Sequence, residues 1–259
     1  MRDFLIGISY LPRAFRLLWA PQLRRFVLAP ILVYVLVFAL LFAFGGHLFG
    51  DLLNWLLPDP ERFAGGEWWA QLLRALVLAV HWLLWPLFVI AAAVLMFYTF
   101  TLVANLIGSP FNGPLAARVE QLASGHPPPE SQLSLLQEAA ASIGSELRKY
   151  GYFLKLMVPL GLLLLIPVAN MAAAPLWALF GAWALALEYL DYPMGNRGLR
   201  FPQVREQLRR RRALALGFGF GMMAMTLIPG LNLLAMPTGV IGGTLLWVRE
   251  WRQEGERGR

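Results

Sequence analysis

The sequence predicts an all-α integral membrane protein: two long transmembrane helices, two re-entrant helical hairpins that reach half-way into the bilayer, and amphipathic helices at the membrane surface. Three observations carry this reading. Hydrophobic residues make up 58% of the 259 and charged residues only 14%, with a mean hydropathy of +0.58, whereas soluble domains carry about a quarter charged residues. The charges are excluded from four stretches, 26–50, 75–117, 156–187 and 213–248. In the middle of the third, residues 165–175 read L-I-P-V-A-N-M-A-A-A-P, and in the middle of the fourth, residues 227–237 read L-I-P-G-L-N-L-L-A-M-P. Proline removes an amide donor and clashes with the preceding helical turn, so two prolines eight apart bracket a break. Each copy reads as the tip of a hairpin buried in lipid; the alternative is a single span kinked at proline.

In chain order, residues 1–20 place Phe4, Ile8, Leu11, Phe15 and Leu18 on one helical face. This predicts a helix lying in the interface, broken or bent midway by Pro12, with Trp19 at headgroup depth. Span one is assigned to 21–50. Pro21 suits a first helical turn, where its missing amide is not needed, and the 25 uncharged residues 26–50 suffice to cross a hydrocarbon core of ~30 Å. Residues 51–74 form a polar loop with Asp51, Asp59, Glu61 and Glu67, followed by Trp68 and Trp69 at the next entry.

The 43 uncharged residues of 75–117 would make a helix of roughly 65 Å, about twice the bilayer. A break is therefore expected at G-S-P-F-N-G-P, 108–114, leaving 75–107 as a tilted span two. Region 108–155 holds this break and a surface helix carrying Glu138, Glu146, Arg148 and Lys149. Hairpin one covers 156–190, and its first arm, about 16 Å long, can enter the core but not cross it. A surface link, 191–212, contains Asp191-Tyr192-Pro193, an apolar face of Phe201, Val204 and Leu208, and the basic run at 209–212, read as headgroup binding and orientation. Hairpin two covers 213–248, where glycines 217, 219, 221, 242 and 243 permit close helix contact. A charged tail, 249–259, follows.

Residues 1–25 hold five basic side chains and residues 51–74 two, which places both termini on the cytoplasmic side by a modest margin. The net charge of +7 gathers at the chain ends, and no soluble basic stripe marks a nucleic-acid partner. With no cysteine and three histidines, no disulfide, thiolate nucleophile or metal site is expected. P-loop, H-E-x-x-H and G-x-S-x-G patterns are absent, and no carboxylate lies inside an uncharged run. ATP-driven work, enzymatic chemistry, cofactor binding and an intramembrane carboxylate relay are thus not expected.

Three groups of residues remain as candidates. At P-Q-L-R-R, 21–25, a helix N-terminus and two guanidiniums suit a tetrahedral dianion that takes several donors at once; the same pair could instead snorkel to lipid phosphate. Asn170 and Asn232 are polar groups at the hairpin tips. Irregular backbone at such depth must be packed in protein or line a cavity, although each Asn could simply cap the following arm. Asn112, Arg118 and Glu120 lie at and after the expected break, where Asn112 bonds across it and the charged pair reaches a neighbour, or where all three sit on a surface turn.

Taken together, P-x-L-R-R-F at 21–26, P-F-N-G at 110–113, D-Y-P at 191–193, I-P-x-x-N-x-x-x-M-P at 228–237 and G-x-T-x-x-W at 242–247 resemble the CysZ sulfate permease family in order and spacing. The resemblance implies a bacterial inner-membrane protein that admits sulfate for cysteine biosynthesis. It also implies the two spans and two half-membrane hairpins, and a homo-oligomer whose protomers take opposed orientations. Its anion site falls on Leu23, Arg24 and Arg25. From the residues themselves, Asn112, Arg118, Glu120, Asn170 and Asn232 are expected to line or gate the route. Two departures matter: Gln22 stands where the family commonly has glycine, and Ala117 where it tends to have a carboxylate, so no role is assigned there. The expected activity is channel-like sulfate permeation with sulfate and membrane lipids as partners. The alternative is a non-transporting scaffold that organises lipid.

Overall fold

The computed structural model describes residues 1–63, 65–129, 134–166, 169–228 and 231–252. Among them there is no strand. The helices are α1 (Arg2–Leu17), α2 (Arg24–Leu56), α3 (Trp68–Ser124), α4 (Leu135–Leu163), α5 (Ala173–Gly195), α6 (Phe201–Arg210), α7 (Arg212–Leu227) and α8 (Asn232–Leu246), with a π-helical turn at Trp247–Arg252. Among the described residues three segments are long and apolar enough to cross a membrane: Arg24–Phe63, Trp68–Met96 and Asn170–Gly195. The chain is an all-α membrane protein.

Two compact units divide it: 29–108, and 1–28 together with 109–259. In the first, α2 and α3 pair through aromatic rings. Phe49 stacks on Phe88 at 4.6 Å and meets Trp85 edge-on at 5.4 Å. Elsewhere these helices present leucine, valine and phenylalanine outward, among them Leu32, Leu36, Leu83 and Leu95. Apolar area on this scale is a face for lipid or protein, not for water.

In the second unit α1, α5, α7 and α8 pack unusually close, because glycine removes the side chain at each crossing. A Cβ on Gly217 would lie 2.0 Å from the Phe4 carbonyl oxygen, one on Gly219 1.8 Å from that of Ala182, and one on Gly243 2.7 Å from that of Tyr189. Gly221 meets Leu11, and Gly242 meets Phe218 and Ala14. All five glycines singled out by the sequence therefore lie at close contacts. Phe201, Val204 and Leu208 are buried on α6, as their spacing predicts.

Several expectations are corrected. Helix α1 is continuous through Pro12. It packs on α7 and α8 through Gly7, Tyr10, Ala14 and Leu18. Its buried line combines small residues that let the backbone approach, Gly7 and Ala14, with Tyr10 and Leu18; of the expected apolar face only Leu18 is fully buried. Helix α2 runs six residues into the expected loop 51–74, and Asp51 there pairs with His47 one turn back at 3.1 Å.

The break expected at 108–114 does not occur, since α3 is one helix through it. Two tertiary bonds hold the Asn-Gly stretch in place: Asn112 donates to the Tyr192 hydroxyl at 3.1 Å, and Asn196 donates to the Gly113 carbonyl at 2.9 Å. Local turn propensity yields where tertiary hydrogen bonds hold the segment against a neighbouring helix. Likewise Asp191-Tyr192-Pro193 is not in a link; it is the last turn and a half of α5.

Pro167, Val168, Pro229 and Gly230, within the two tips, lie outside the described residues. On either side of them the copies match. The Asn170 amide donates to the Ile166 carbonyl at 2.8 Å, and the Asn232 amide to the Ile228 carbonyl at 3.1 Å. The repeated motif thus closes the same helical bond twice.

Candidate functional site

The Arg pair opens α2. Leu23, fully buried, and Val27, 3% exposed, anchor the turn from inside. Arg24 and Arg25 project outward and are exposed. Leu23 and Arg24 both donate their amides to the Ala20 carbonyl, at 2.9 and 3.0 Å, and Phe26 donates to the Leu23 carbonyl at 2.9 Å. Most of the amides a simple helix start would offer are therefore already used. Among the described residues the Arg25 amide keeps no partner and neither guanidinium has an ion-pair partner; that of Arg25 lies 4.8 Å from the centre of the Phe26 ring. An anion here would be held chiefly by the two side chains, with the helix dipole behind them.

A second polar group forms where the C-terminal part of α3 meets the end of α5. Asn112, Leu115, Ala116, Val119 and Glu120 are all buried, at the spacing of one helical face. Asn112 binds Tyr192 as above. Glu120, with no exposed surface, accepts from Arg197 Nε at 2.7 Å and from its Nη2. Arg118 turns the other way and binds Gln121. The structure sets Asn112 against the end of α5 and Glu120 against Arg197 just beyond it, and leaves Arg118 aside. Among the described residues no hydrogen bond or ion pair joins them to Arg24 or Arg25.

Removing one partner of a buried pair strands the other's charge, which costs about 3 kcal/mol even at the low end. Glu120→Gln is therefore expected to lower the apparent melting temperature by several degrees. Glu120→Leu with Arg197→Met is expected to recover most of the loss. Melting curves of the purified variants check both.

Asn170 and Asn232 are exposed. Asn232 is the first residue of α8 and Leu231 its cap, and no side-chain cap bond is made there. Simple capping by Asn232 does not hold. Around both tips Leu165, Met171 and Leu227 are more than 70% exposed.

One cluster escaped the sequence reading. Lys149, 3% exposed, lies 2.9 Å from Glu146, 3.1 Å from Glu188 and 3.3 Å from Asp191. It borders a cavity of about 370 Å³ with Ser142, Ser145, Tyr192 and Asn196. The usable signal was Glu188 and Asp191 three apart on one face. Burial pushes the Lys149 ammonium down, and the carboxylates of Glu188, Asp191 and Glu146 outweigh it, so its pKa is raised. A cation held above its ordinary value of 10.5 adds stability that is complete below that value and lost as pH rises through the folded one. Across pH 6–9 this contribution should be flat in native protein. Lys149→Met is expected to cost about 3 kcal/mol at pH 8. The cost should shrink at acid pH, where Asp191, whose pKa burial already raises, takes up a proton; melting temperatures from pH 8 to pH 4 check it.

A family model described as Sulfate transporter CysZ/Etoposide-induced protein 2.4 matches residues 10–237. A protein named Sulfate transporter CysZ from Pseudomonas aeruginosa (strain PAO1) is 40% identical over 256 residues, covering 98% of this chain and 97% of that protein. A namesake from Pseudomonas fluorescens (strain Pf0-1) is 39% identical over 249 residues, 95% and 94% of the two chains. One from Vibrio atlanticus (strain LGP32) is 35% identical over 258 residues, 98% and 96%.

The chain belongs to the sulfate transporter CysZ/Etoposide-induced protein 2.4 family.

The CysZ match takes in every candidate named above: the Arg pair, Asn112, Arg118 and Glu120, and both tips. It ends at Pro237, yet the three relatives continue nearly to the end of this chain. The matches to these relatives thus also take in residues 242 and 243, which the family model stops short of.

Proposed function

We propose that this chain is a sulfate permease of the bacterial inner membrane, admitting sulfate for cysteine biosynthesis by a channel-like route without an energy source of its own. The observation that carries this is 35–40% identity, over almost the whole chain, to proteins named sulfate transporters. Arg24 and Arg25 gather the dianion at the start of α2. Two cations without ion-pair partners suit an ion that must bind and then leave, since release is as necessary as capture. Asn112 and the tips carrying Asn170 and Asn232 line or gate the route.

The hairpins are re-entrant in this reading. Lys149 stands 14 residues before the end of α4, and Glu188 stands 15 after the start of α5. Helices α7 and α8 have 16 and 15 residues. At 1.5 Å per residue each arm reaches about 21–24 Å from its charged base, short of a core of ~30 Å; Asn170–Gly195 attains the length of a span only when the residues from Glu188 onward are counted. Greasy tips and ionic bases fit tips in lipid and bases at the surface. The chain lacks cysteine, so single cysteines placed at 165 and 205 can be labelled one at a time. Labelling of 205 from the side opposite Lys149 would overturn the re-entrant reading.

Sulfate binding is tested by heat. A ligand that binds only the folded state stabilises it by about 2.7 kcal/mol at a hundred times its dissociation constant. Sodium sulfate is expected to raise the melting temperature above that in sodium chloride of equal ionic strength. Equal curves, together with no sulfate entry into vesicles bearing the protein, would favour the non-transporting scaffold.

A further inference from the structure

A groove of about 520 Å³ opens between α4, α5, α6 and the start of α7. Leu156, Pro159 and Leu160 line one wall, and Leu176, Leu179 and Leu216 the other. Its rim carries Arg205, Arg209 and Arg212, and no carboxylate lines it. The volume falls within the ~300–1,000 Å³ range of sites that bury a small organic ligand.

The three rim arginines differ from their neighbours. Arg210 pairs with Glu206 at 3.5 Å, and Arg211 with Glu250 at 3.3 Å and Asp3 at 3.6 Å. Among the described residues Arg205, Arg209 and Arg212 have no ion-pair partner. Arg205 is further constrained. Its guanidinium lies 5.2 Å from the centre of the Tyr152 ring, whose hydroxyl accepts from Trp183 Nε1 at 3.1 Å. Its Nε is buried and lacks a hydrogen-bond acceptor among the described residues. A buried donor on a charged group needs an acceptor.

Apolar walls with an all-cationic rim define an occupant that is greasy along one part and anionic at one end. A free inorganic anion would leave the leucines wet, and a neutral lipid would leave the donors unmet. We propose that the groove binds a phospholipid with an anionic headgroup. Its net-negative headgroup, a phosphate with no choline or amine cation to offset it, is met by Arg205, Arg209 and Arg212, and an acyl chain lies against Leu156, Leu160, Leu176 and Leu179. The site is defined by one lipid in one groove, which goes beyond a general attraction of basic residues to the membrane surface. It rests on the reading of α6 as lying at the headgroup level and is independent of whether the chain conducts sulfate.

The test uses the full chain in neutral detergent, with retained lipid read by native mass spectrometry. Phosphatidylglycerol and phosphatidylcholine with identical acyl chains are compared, with glycerol phosphate and sodium sulfate as soluble competitors. Native protein is expected to retain the glycerol lipid roughly a hundredfold better than the choline lipid if each arginine contributes at the scale of a basic residue near an anionic surface. Arg205→Gln/Arg209→Gln/Arg212→Gln should abolish that preference. Arg209→Gln alone, at an exposed position, should reduce it roughly fivefold and serves if the triple variant does not fold. Leu160→Trp, which fills the groove, should lower retention of both lipids. Neither soluble competitor should displace the lipid. Equal retention of the two lipids by native protein would overturn the proposal. So would displacement by glycerol phosphate or sulfate, which would mark a simple anion site, or a dimer that forms without lipid and is lost in Leu160→Trp, which would make a second copy the occupant.

Discussion

Vesicles carrying Arg24→Ala/Arg25→Ala are expected to take up sulfate roughly a hundredfold more slowly than vesicles with native protein, at sulfate concentrations well below saturation. Hydrogen bonds to a charged group contribute about 1.5–3 kcal/mol each, and about 2.7 kcal/mol is a hundredfold in affinity. The loss should be this large because the turn at Ala20 has already taken the amides of Leu23 and Arg24. Little backbone remains to hold the ion when the side chains go. Arg24→Lys/Arg25→Lys separates charge from shape: it keeps two cations but not the planar fork, so uptake should fall between the two. Both guanidiniums are exposed, so capture should weaken as ionic strength rises. Native-like uptake by the alanine variant would remove the Arg pair from the mechanism.

Gly219→Ala is expected to lower the melting temperature by about 10 °C, the shift that follows from a loss of about 3 kcal/mol in a chain of this size. Helix propensity argues the other way, since alanine in place of glycine within a helix gains about 1 kcal/mol. Sterics win here. The added carbon would stand 1.8 Å from the Ala182 carbonyl oxygen and 2.6 Å from its carbon, and backbone cannot turn aside as a side chain can. Helices α5 and α7 must separate, and with them α1 and α8. Gly151→Ala is the control: it is also helical, but nothing lies within 4 Å of its added carbon, so it should be neutral or slightly stabilising. If both variants melt alike, the packing of this unit is not set by glycine.

What could be read in advance was what one stretch of chain decides alone. The spacing of Phe201, Val204 and Leu208 placed the buried face of α6, and the glycines of α7 and α8 placed the close crossings. The readings that failed depended on residues far along the chain. Proline and Asn-Gly signals at 108–114 were correct locally, but Tyr192 and Asn196 answer them from some 80 residues away. Lys149 looked like a charge on a solvated helix because its partners Glu188 and Asp191 come from another helix. Glu120 could be seen as a residue in need of a partner, but nothing local named Arg197. That Arg24 and Arg25 stand at the start of a helix was legible directly; the reduced share of backbone amides there was not, because that rests on how Ala20 turns the chain.

Both hairpins are fastened at the charged end. Lys149 ties α4 to α5, and Arg211 ties the start of α7 to Glu250 beyond α8. Glycine contacts bind the α5, α7 and α8 arms further along, while Leu165, Met171 and Leu227 stand bare at the other end. Loss of Lys149 or Arg211 would therefore undo the join between two helices, α4 with α5 or α7 with the turn beyond α8, and not merely the surroundings of one side chain.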